Sequence, residues 1–410
     1  MSAHVSFGSP LEFGNGTVIK NRFFKSAMSE QLADRHHNPT PELARLYRTW
    51  AAGGVGISMT GNVMIDRNAL GEPKNVVLDE ASDVKAFRRW AAEGTRNAAH
   101  LWVQLNHPGK QTPRFLSREP VAPSAIPLGK GLEKAFNPPR ELGEDEILAI
   151  IEKFAFSARL AKEAGFTGVQ IHGAHGYLVS QFLSPRHNRR TDRWGGNSKN
   201  RRRFVLEIYR AMRKAVGENY PVSIKLNSAD FMNGGFTETE SIKVVKALAD
   251  EGIDLIEVSG GTYESPSMTG HGVRESTRRR EAYFLEFAEQ IRKMIDTPLV
   301  VTGGFRSGPA MADALESGAL DMIGLARPMA VQPDLPNRLL ANPNHSLHVK
   351  RPSTGWKWLD RMSMLDITWY EQQLARLARG RQADIDQSAW TTIMQTVAET
   401  GAAAFRQRRA

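Results

Sequence analysis

Eight short apolar runs, each followed by an amphipathic stretch, constrain this chain more than any other feature of its sequence. The runs are Phe23–Met28, Val55–Thr60, His100–Leu105, Gly168–His172, Val222–Asn227, Leu255–Ser259, Leu299–Gly303 and Met322–Ala326. Buried parallel strands read as continuous apolar runs, and each must return through a crossover, usually a helix. Helical candidates fill the gaps: Pro41–Ala52, Asp83–Ala98, Asp145–Ala164, Asn200–Val216, Glu238–Asp250, Ala282–Met294 and Ser307–Ser317. In Asp145–Ala164, Ile147, Ile150, Ile151, Phe154, Ala158 and Ala161 recur at helical spacing, and Gly165 stops the helix. Strand–helix alternation gives an α/β fold, and eight units match a closed (β/α)8, or TIM, barrel. An open doubly wound sheet has the same rhythm. The 410 residues accommodate a barrel with insertions.

Three segments depart from the rhythm. Leu11–Asn21 holds Asn15-Gly16 between apolar residues, the signature of an N-terminal hairpin placed to plug the lower end of the barrel. After the third strand, Asn106–Arg140 spans 35 residues and holds 7 of the 21 prolines. Loops of that length in compact domains are usually functional, so a lid is expected. Beyond the barrel, assigned to residues 1–345, a C-terminal extension over 346–410 shows helical periodicity in Asp360–Arg381 and Asp384–Gln407. Its Trp356, Trp358, Trp369 and Tyr370 are expected to pack on the barrel or on a neighbouring subunit of a homo-oligomer.

Composition excludes several chemistries. With no cysteine there are no disulfides, thiolate zinc sites, cysteine-ligated iron–sulfur clusters or cysteine nucleophiles. Mean hydropathy is −0.40 and no run approaches the roughly 20 apolar residues of a membrane span. The start, Met1-Ser2-Ala3-His4-Val5, does not read as a signal peptide, so a cytoplasmic location is expected. The formal charge of +10 favours anionic partners. The clusters Arg201-Arg202-Arg203 and Arg278-Arg279-Arg280 lack interleaved aromatics and read as solvated surface, not as a nucleic-acid site.

Catalytic groups of such a barrel sit at the strand exits. Here these are Ala27-Met28-Ser29, Gly61-Asn62, Gln104 with His107, His172-Gly173-Ala174-His175-Gly176-Tyr177, Lys225 with Asn227, Gly303-Gly304 and Ala326-Arg327. The rim is polar, basic and nearly free of acid, which suits an anionic planar ligand. Gly303 and Gly304 allow close backbone approach, and Arg327 opens a helix whose N–H groups favour an anion. A plain turn explains the same residues. The glycines in the histidine cluster make it a loop, and no carboxylate lies close behind before Asp192, so a metal site is not expected. Two readings remain: hydrogen-bonded structural histidines, or two imidazole donors facing a developing oxyanion with a protonated phenol beside them. An unperturbed tyrosine, with a pKa of about 10, keeps its proton at neutral pH.

From about Leu11 to Leu340 the sequence resembles the Old Yellow Enzyme family of NADH:flavin oxidoreductases. The resemblance rests on Asn21-Arg22-Phe23, Gln104-Leu105-Asn106-His107-Pro108-Gly109 and Ile171-His172-Gly173-Ala174-His175-Gly176-Tyr177-Leu178. It continues in Gln181-Phe182-Leu183-Ser184-Pro185, Arg190-Thr191-Asp192-Arg193-Trp194-Gly195-Gly196 and Thr302-Gly303-Gly304-Phe305. It implies a barrel holding FMN without a covalent link and accepting hydride from NADH or NADPH. The ring would lie against Ala27, Met28, Ser29, Asn62, Gln104, His172 and Lys225, and the phosphate against Gly303, Gly304, Ala326 and Arg327. It further implies a ping-pong reduction of the activated C=C bond of α,β-unsaturated carbonyl or nitro compounds. His172 and His175 would hold the activating oxygen, and Tyr177 would protonate the α carbon. Ser29 stands where relatives often carry cysteine or threonine, Ala27 replaces a frequent proline, and Lys225 stands where arginine is also common. The same scaffold would serve an NADH oxidase or an amine demethylase. Outside redox chemistry, an aldolase or isomerase could use Lys225 as a Schiff-base lysine and Gly303-Gly304 for a sugar phosphate.

Overall fold

The computed structural model describes residues 5–400, apart from 130, 266–280, 282 and 348. The cluster Arg278-Arg279-Arg280 and the end of the expected last helix, 401–407, lie outside the described residues. The eight runs form eight parallel strands: β1 (Phe23–Lys25), β2 (Ile57–Met64), β3 (His100–Asn106), β4 (Gly168–Gly173), β5 (Val222–Asn227), β6 (Leu255–Ser259), β7 (Leu299–Thr302) and β8 (Met322–Leu325). Each pairs in parallel with its successor, and β8 pairs back onto β1, Ile323 opposite Phe23. This closure removes both sheet edges and decides between barrel and open sheet.

The helices follow their periodicity. Pro41–Ala52 and Glu238–Asp250 have the expected ends, the second set by a capping box between Thr237 and Glu240. The second helix stops at Gly94 rather than Ala98, because Asn97 takes a left-handed backbone. The second strand starts two residues late and runs on to Met64, with its register broken between Met59 and Asn62. Gly61 sits at that irregularity, where a Cβ would lie 2.4 Å from the Met28 carbonyl oxygen.

The barrel has an apolar floor. The hairpin, Leu11–Glu12 paired with Val18–Ile19, brings Leu11, Phe13 and Ile19 against Phe24, Ile57, Met59, Trp102, Leu255, Val300 and Met322. Asn15 secures the turn by donating to Asp254 at 2.9 Å. At the other end, the segment after β3 is folded rather than structureless. Val121–Ala122 pairs with Arg140–Glu141, and Leu128, Leu132, Ala135 and Phe136 cluster over Tyr177 and Tyr263. The extension forms helices Lys357–Met362, Leu365–Ala378 and Ala389–Thr400. It lies on its own barrel, where Arg45 donates to the Ala378 carbonyl at 2.9 Å and Gln31 to Glu371 at 3.0 Å.

Within the single chain Trp369 and Tyr370 are buried, whereas Trp356 and Trp358 are exposed and stack on each other with ring centroids 6.5 Å apart. One expectation needs correction. Arg201 is not solvated surface. It is buried, pairs with Glu240 and donates to the Leu183 and Gly196 carbonyls, fixing the chain that follows β4. No helix among the described residues is long and apolar enough to cross a membrane.

Candidate active site

Above the apolar floor lies a polar layer. Gln104 Nε2 donates to Gln170 Oε1 at 2.7 Å, and Gln170 Nε2 donates to Glu257 Oε2 at 3.0 Å. Thr302 donates to Glu257 Oε1 at 2.7 Å, Lys225 Nζ lies 3.1 Å from the same oxygen, and Ser26 bonds Thr302 at 2.8 Å. Two of these contacts skip a strand, so they run across the lumen. Glu257 is fully buried, and such a carboxylate requires the cation and donors it has. Glu257 and Gln170 were missed from sequence, yet both interrupt apolar runs at inward positions of the two-residue strand period.

Outside the lumen, Lys25 stacks on Trp50, donates to the Met59 carbonyl at 2.6 Å and lies 3.8 Å from Glu30. Burial pushes its pKa down to about 8, opposed chiefly by Glu30, whose own carboxyl burial pushes up. Glu30 accepts from Gly61 N at 3.1 Å, so this group fixes the bulge that carries Asn62.

A cleft opens over the polar layer. Ala27, His175, Lys225, Gly303, Gly304, Ala326 and Arg327 line it, together with Ser259, Thr302, Arg306 and Arg351. Gly303 (φ 126°) and Gly304 (φ 96°) occupy backbone conformations that side chains rarely adopt. At Gly324 a Cβ would lie 2.1 Å from Thr302 Oγ1 and 2.7 Å from the Val301 carbonyl, so glycine is required beside the cleft. The helix opened by Arg327 spans only Arg327–Val331, too short to add much dipole. Anion affinity therefore rests on guanidinium groups and the glycine backbone.

The histidine loop meets this cleft at His175. Ala174 N–H donates to His172 Nδ1 at 3.3 Å, leaving Nε2 as the proton-bearing nitrogen. His175 has φ 62°, and its Nε2 lies 2.8 Å from the Ser259 hydroxyl. Its N–H donates to Asn227 Oδ1 at 3.3 Å. The His172 ring sits edge-on to those of His175 and Tyr177, with centroids 5.2 and 4.8 Å away. The Tyr177 phenol bonds the Tyr263 phenol and accepts from Asn62 Nδ2 at 3.2 Å. Tyr263 lies past the exit of β6, and only tertiary placement reveals it.

Other expected residues stand nearby without lining the cleft. Gln104 lies in the polar layer, and Asn62 is beside it in the β2–β3 ladder. Ser29 donates to Glu72, and Met28 packs against the main core. Behind the loop, burial pushes His107 down to about 4, so it is neutral, and its Nδ1 accepts from Gly109 N at 3.0 Å. Lys225, offered above as a Schiff-base lysine, is instead committed to an ion pair with Glu257.

FMN fits this geometry on three counts. Gln104 Oε1 is buried without a hydrogen-bond partner, as an acceptor for a ring N–H would be. The glycine-lined cleft admits a backbone-hugging ligand, and the guanidinium side chains suit a phosphate.

Comparison with known proteins agrees. Residues 7–345 match the model of the NADH:flavin oxidoreductase / NADH oxidase family. The NADH-dependent flavin oxidoreductase iliE of Neonectria sp. (strain DH2) is 39% identical over 83% of this chain, which spans about half, 48%, of that relative's length. The protein of the same name from Hypocrea jecorina is 38% identical, covering 81% of this chain and 88% of its own. The old yellow enzyme homologue from Zymomonas mobilis superposes with a TM-score of 0.69 at 27% identity, over 83% of this chain and 94% of that one. Fold, site and sequence agree: this chain belongs to the NADH:flavin oxidoreductase / NADH oxidase family, as an Old Yellow Enzyme homologue that works with FMN and a nicotinamide dinucleotide.

Proposed function

We propose that this enzyme uses NAD(P)H to reduce the activated C=C bond of α,β-unsaturated carbonyl or nitro compounds, alternating reduction and oxidation in one pocket. The observation that carries this reading is the buried Tyr177 phenol, edge-on to His172 and covered by the lid cluster. When bound, FMN carries the hydride between the nicotinamide and the acceptor. Its ring would be held by Lys225, by Gln104 and by backbone of Ala27, Met28 and Asn62, and its phosphate by Gly303, Gly304, Ala326 and Arg327.

The protein's own part is charge and proton handling. His172 Nε2–H donates to the substrate's carbonyl or nitro oxygen as negative charge grows there. The His175 tautomer that carries its proton on Nδ1, accepting from Ser259 at Nε2, would provide a second donor. Tyr177 gives its phenolic proton to the α carbon, and the lid keeps water from competing. The phenolate left on Tyr177 accepts hydrogen bonds from Asn62 Nδ2 and from Tyr263, which lowers the cost of its formation.

Anaerobic stopped-flow tests the reading: flavin bleaching by NADH and NADPH, then reoxidation by enones, nitroalkenes and oxygen. Rapid reoxidation by enones or nitroalkenes is expected. Reoxidation by oxygen alone would make the protein an oxidase and overturn the assignment.

Denaturation is expected to release one FMN per chain, as measured by the absorbance of the supernatant. Arg327→Ala should weaken FMN binding about tenfold or more. Lys225→Ala should also reduce stability, by about 3–5 kcal/mol, because it strands the buried Glu257 carboxylate. Lys225→Arg keeps the cation and should retain most FMN affinity. Wild-type FMN affinity in both Arg327→Ala and Lys225→Ala would refute this placement.

Tyr263→Phe removes one donor to the Tyr177 oxygen and should slow enone reoxidation about tenfold. Bleaching by NAD(P)H should be unaffected. The rise of reoxidation rate with acidity should also move, since Tyr177 loses phenolate stabilisation. An unmoved pH profile would leave Tyr263 with a packing role only.

A further inference from the structure

The C-terminal extension returns to the cleft. Ser346 bridges to Ser307, and Leu347 N donates to the Arg306 carbonyl at 2.9 Å. The segment is thereby tied to the loop that follows β7. A few residues later Val349 and Arg351 line the same cleft as Gly303, Gly304, Arg306 and Arg327. The backbone between is anchored within the extension. Tyr370 donates to the Lys350 carbonyl at 2.7 Å, and Lys350 Nζ donates to the Ile385 and Gln387 carbonyls at 2.9 and 3.1 Å.

Arg327 and Arg351 line the same cleft and both act on the Tyr370 side chain. Burial pushes the Tyr370 phenol up to about 12, and both guanidiniums oppose that rise. Among the described residues neither arginine has a carboxylate partner, unlike Arg67, Arg140, Arg201, Arg210 and Arg213, each of which is paired with one. Asp366 also acts on that phenol but does not line the cleft, so the cleft face of the two cations has no acid, and a multivalent anion there relieves their repulsion. A phosphate monoester carries close to two charges at neutral pH and accepts from several donors.

We infer that Arg351 is a phosphate ligand for FMN, so that the C-terminal extension forms part of the cofactor site. This rests on the placement of the phosphate at Gly303, Gly304 and Arg327 given above. Binding of FMN and docking of the extension then stabilise each other, since linkage between two equilibria is reciprocal. The extension acts as a clasp on the phosphate end of the cleft.

The test is titration of full-length apoprotein with FMN and with riboflavin, which shares the ring and lacks the phosphate. Arg351→Ala and Arg351→Met should each weaken FMN binding about tenfold, the scale of one charge-assisted hydrogen bond on an accessible side chain. Riboflavin affinity should be unchanged, and Arg351→Lys should fall between. In wild type, FMN should slow proteolytic cleavage within 349–388, and this protection should shrink in Arg351→Ala. Equal losses for FMN and riboflavin would mean that Arg351 supports the fold, and would overturn the inference. So would FMN affinity within twofold of wild type in Arg351→Ala while Arg327→Ala loses it. If Arg327→Ala also left the FMN-to-riboflavin ratio unchanged, the phosphate placement itself would fall, and the inference with it.

Discussion

Tyr177→Phe is expected to slow reoxidation of the reduced enzyme by enones about 10²–10⁴-fold, the range usual for loss of a positioned general acid. The phenol sits where such an acid needs to be: buried, edge-on to His172 and bonded to two groups that stabilise its conjugate base. Reduction by NAD(P)H moves no proton through Tyr177 and should proceed at the wild-type rate. Nitroalkenes should be largely spared, because a nitronate can leave without protonation at carbon. The substitution also strands hydrogen bonds from Asn62 and Tyr263, worth about 1–3 kcal/mol of stability. A loss of activity explained by instability would appear in both half-reactions and with both acceptor classes. Stopped-flow traces for the two half-reactions, with an enone and a nitroalkene in parallel, decide the matter. Equal slowing of both half-reactions would remove Tyr177 from the role of acid.

The histidine pair carries the second large effect. His172→Ala and His175→Ala should each slow enone reoxidation about 10²–10³-fold, as loss of one oxyanion donor typically does. Phenolates, whose oxygen resembles the enolate oxygen, should bind more weakly to both. The double variant should lose less than the sum of the singles, since two donors to one atom do not act independently. His175 needs an additional control because its Nε2 also meets Ser259 and its backbone is left-handed. His172→Asn and His175→Asn keep a short amide donor and should recover part of the phenolate affinity. Unchanged phenolate affinity in the alanine variants would return both residues to structural hydrogen bonding.

Much of this architecture is legible in the chain itself. Short continuous apolar runs that alternate with amphipathic stretches read as strands buried on both faces, and all eight strands appear at or overlapping those runs. The second strand is displaced because Gly61 creates a bulge, and the glycine alone does not announce it. Glu257 and Gln170 were recoverable from the two-residue period, which turns them into the lumen beside Gln104 and Lys225. The histidine loop is legible because its residues are neighbours in sequence. Tyr263 and Arg351 are not, since each reaches the site through contacts between segments far apart in the chain. The Trp356–Trp358 stack is exposed in the single chain, because aromatic content leads to burial only where another surface is available to cover it.

The closing ladder between β1 and β8 has a kinetic consequence. Phe24 pairs with Gly324, about 300 residues further on, so this contact is among the most non-local in the molecule. Such pairings are slow to form, because the entropy of drawing the intervening chain together is lost before the contact returns anything. On the ribosome, β1 must wait with its edge unpaired until β8 has emerged. The residues that flank this seam are Ala27 after β1 and Ala326 with Arg327 after β8, and all three line the cleft. A ligand there spans the first and last strands, so it can bind only a chain whose ends have already met. Supplying FMN during refolding should therefore leave the early collapse unchanged and trap the closed barrel as it forms.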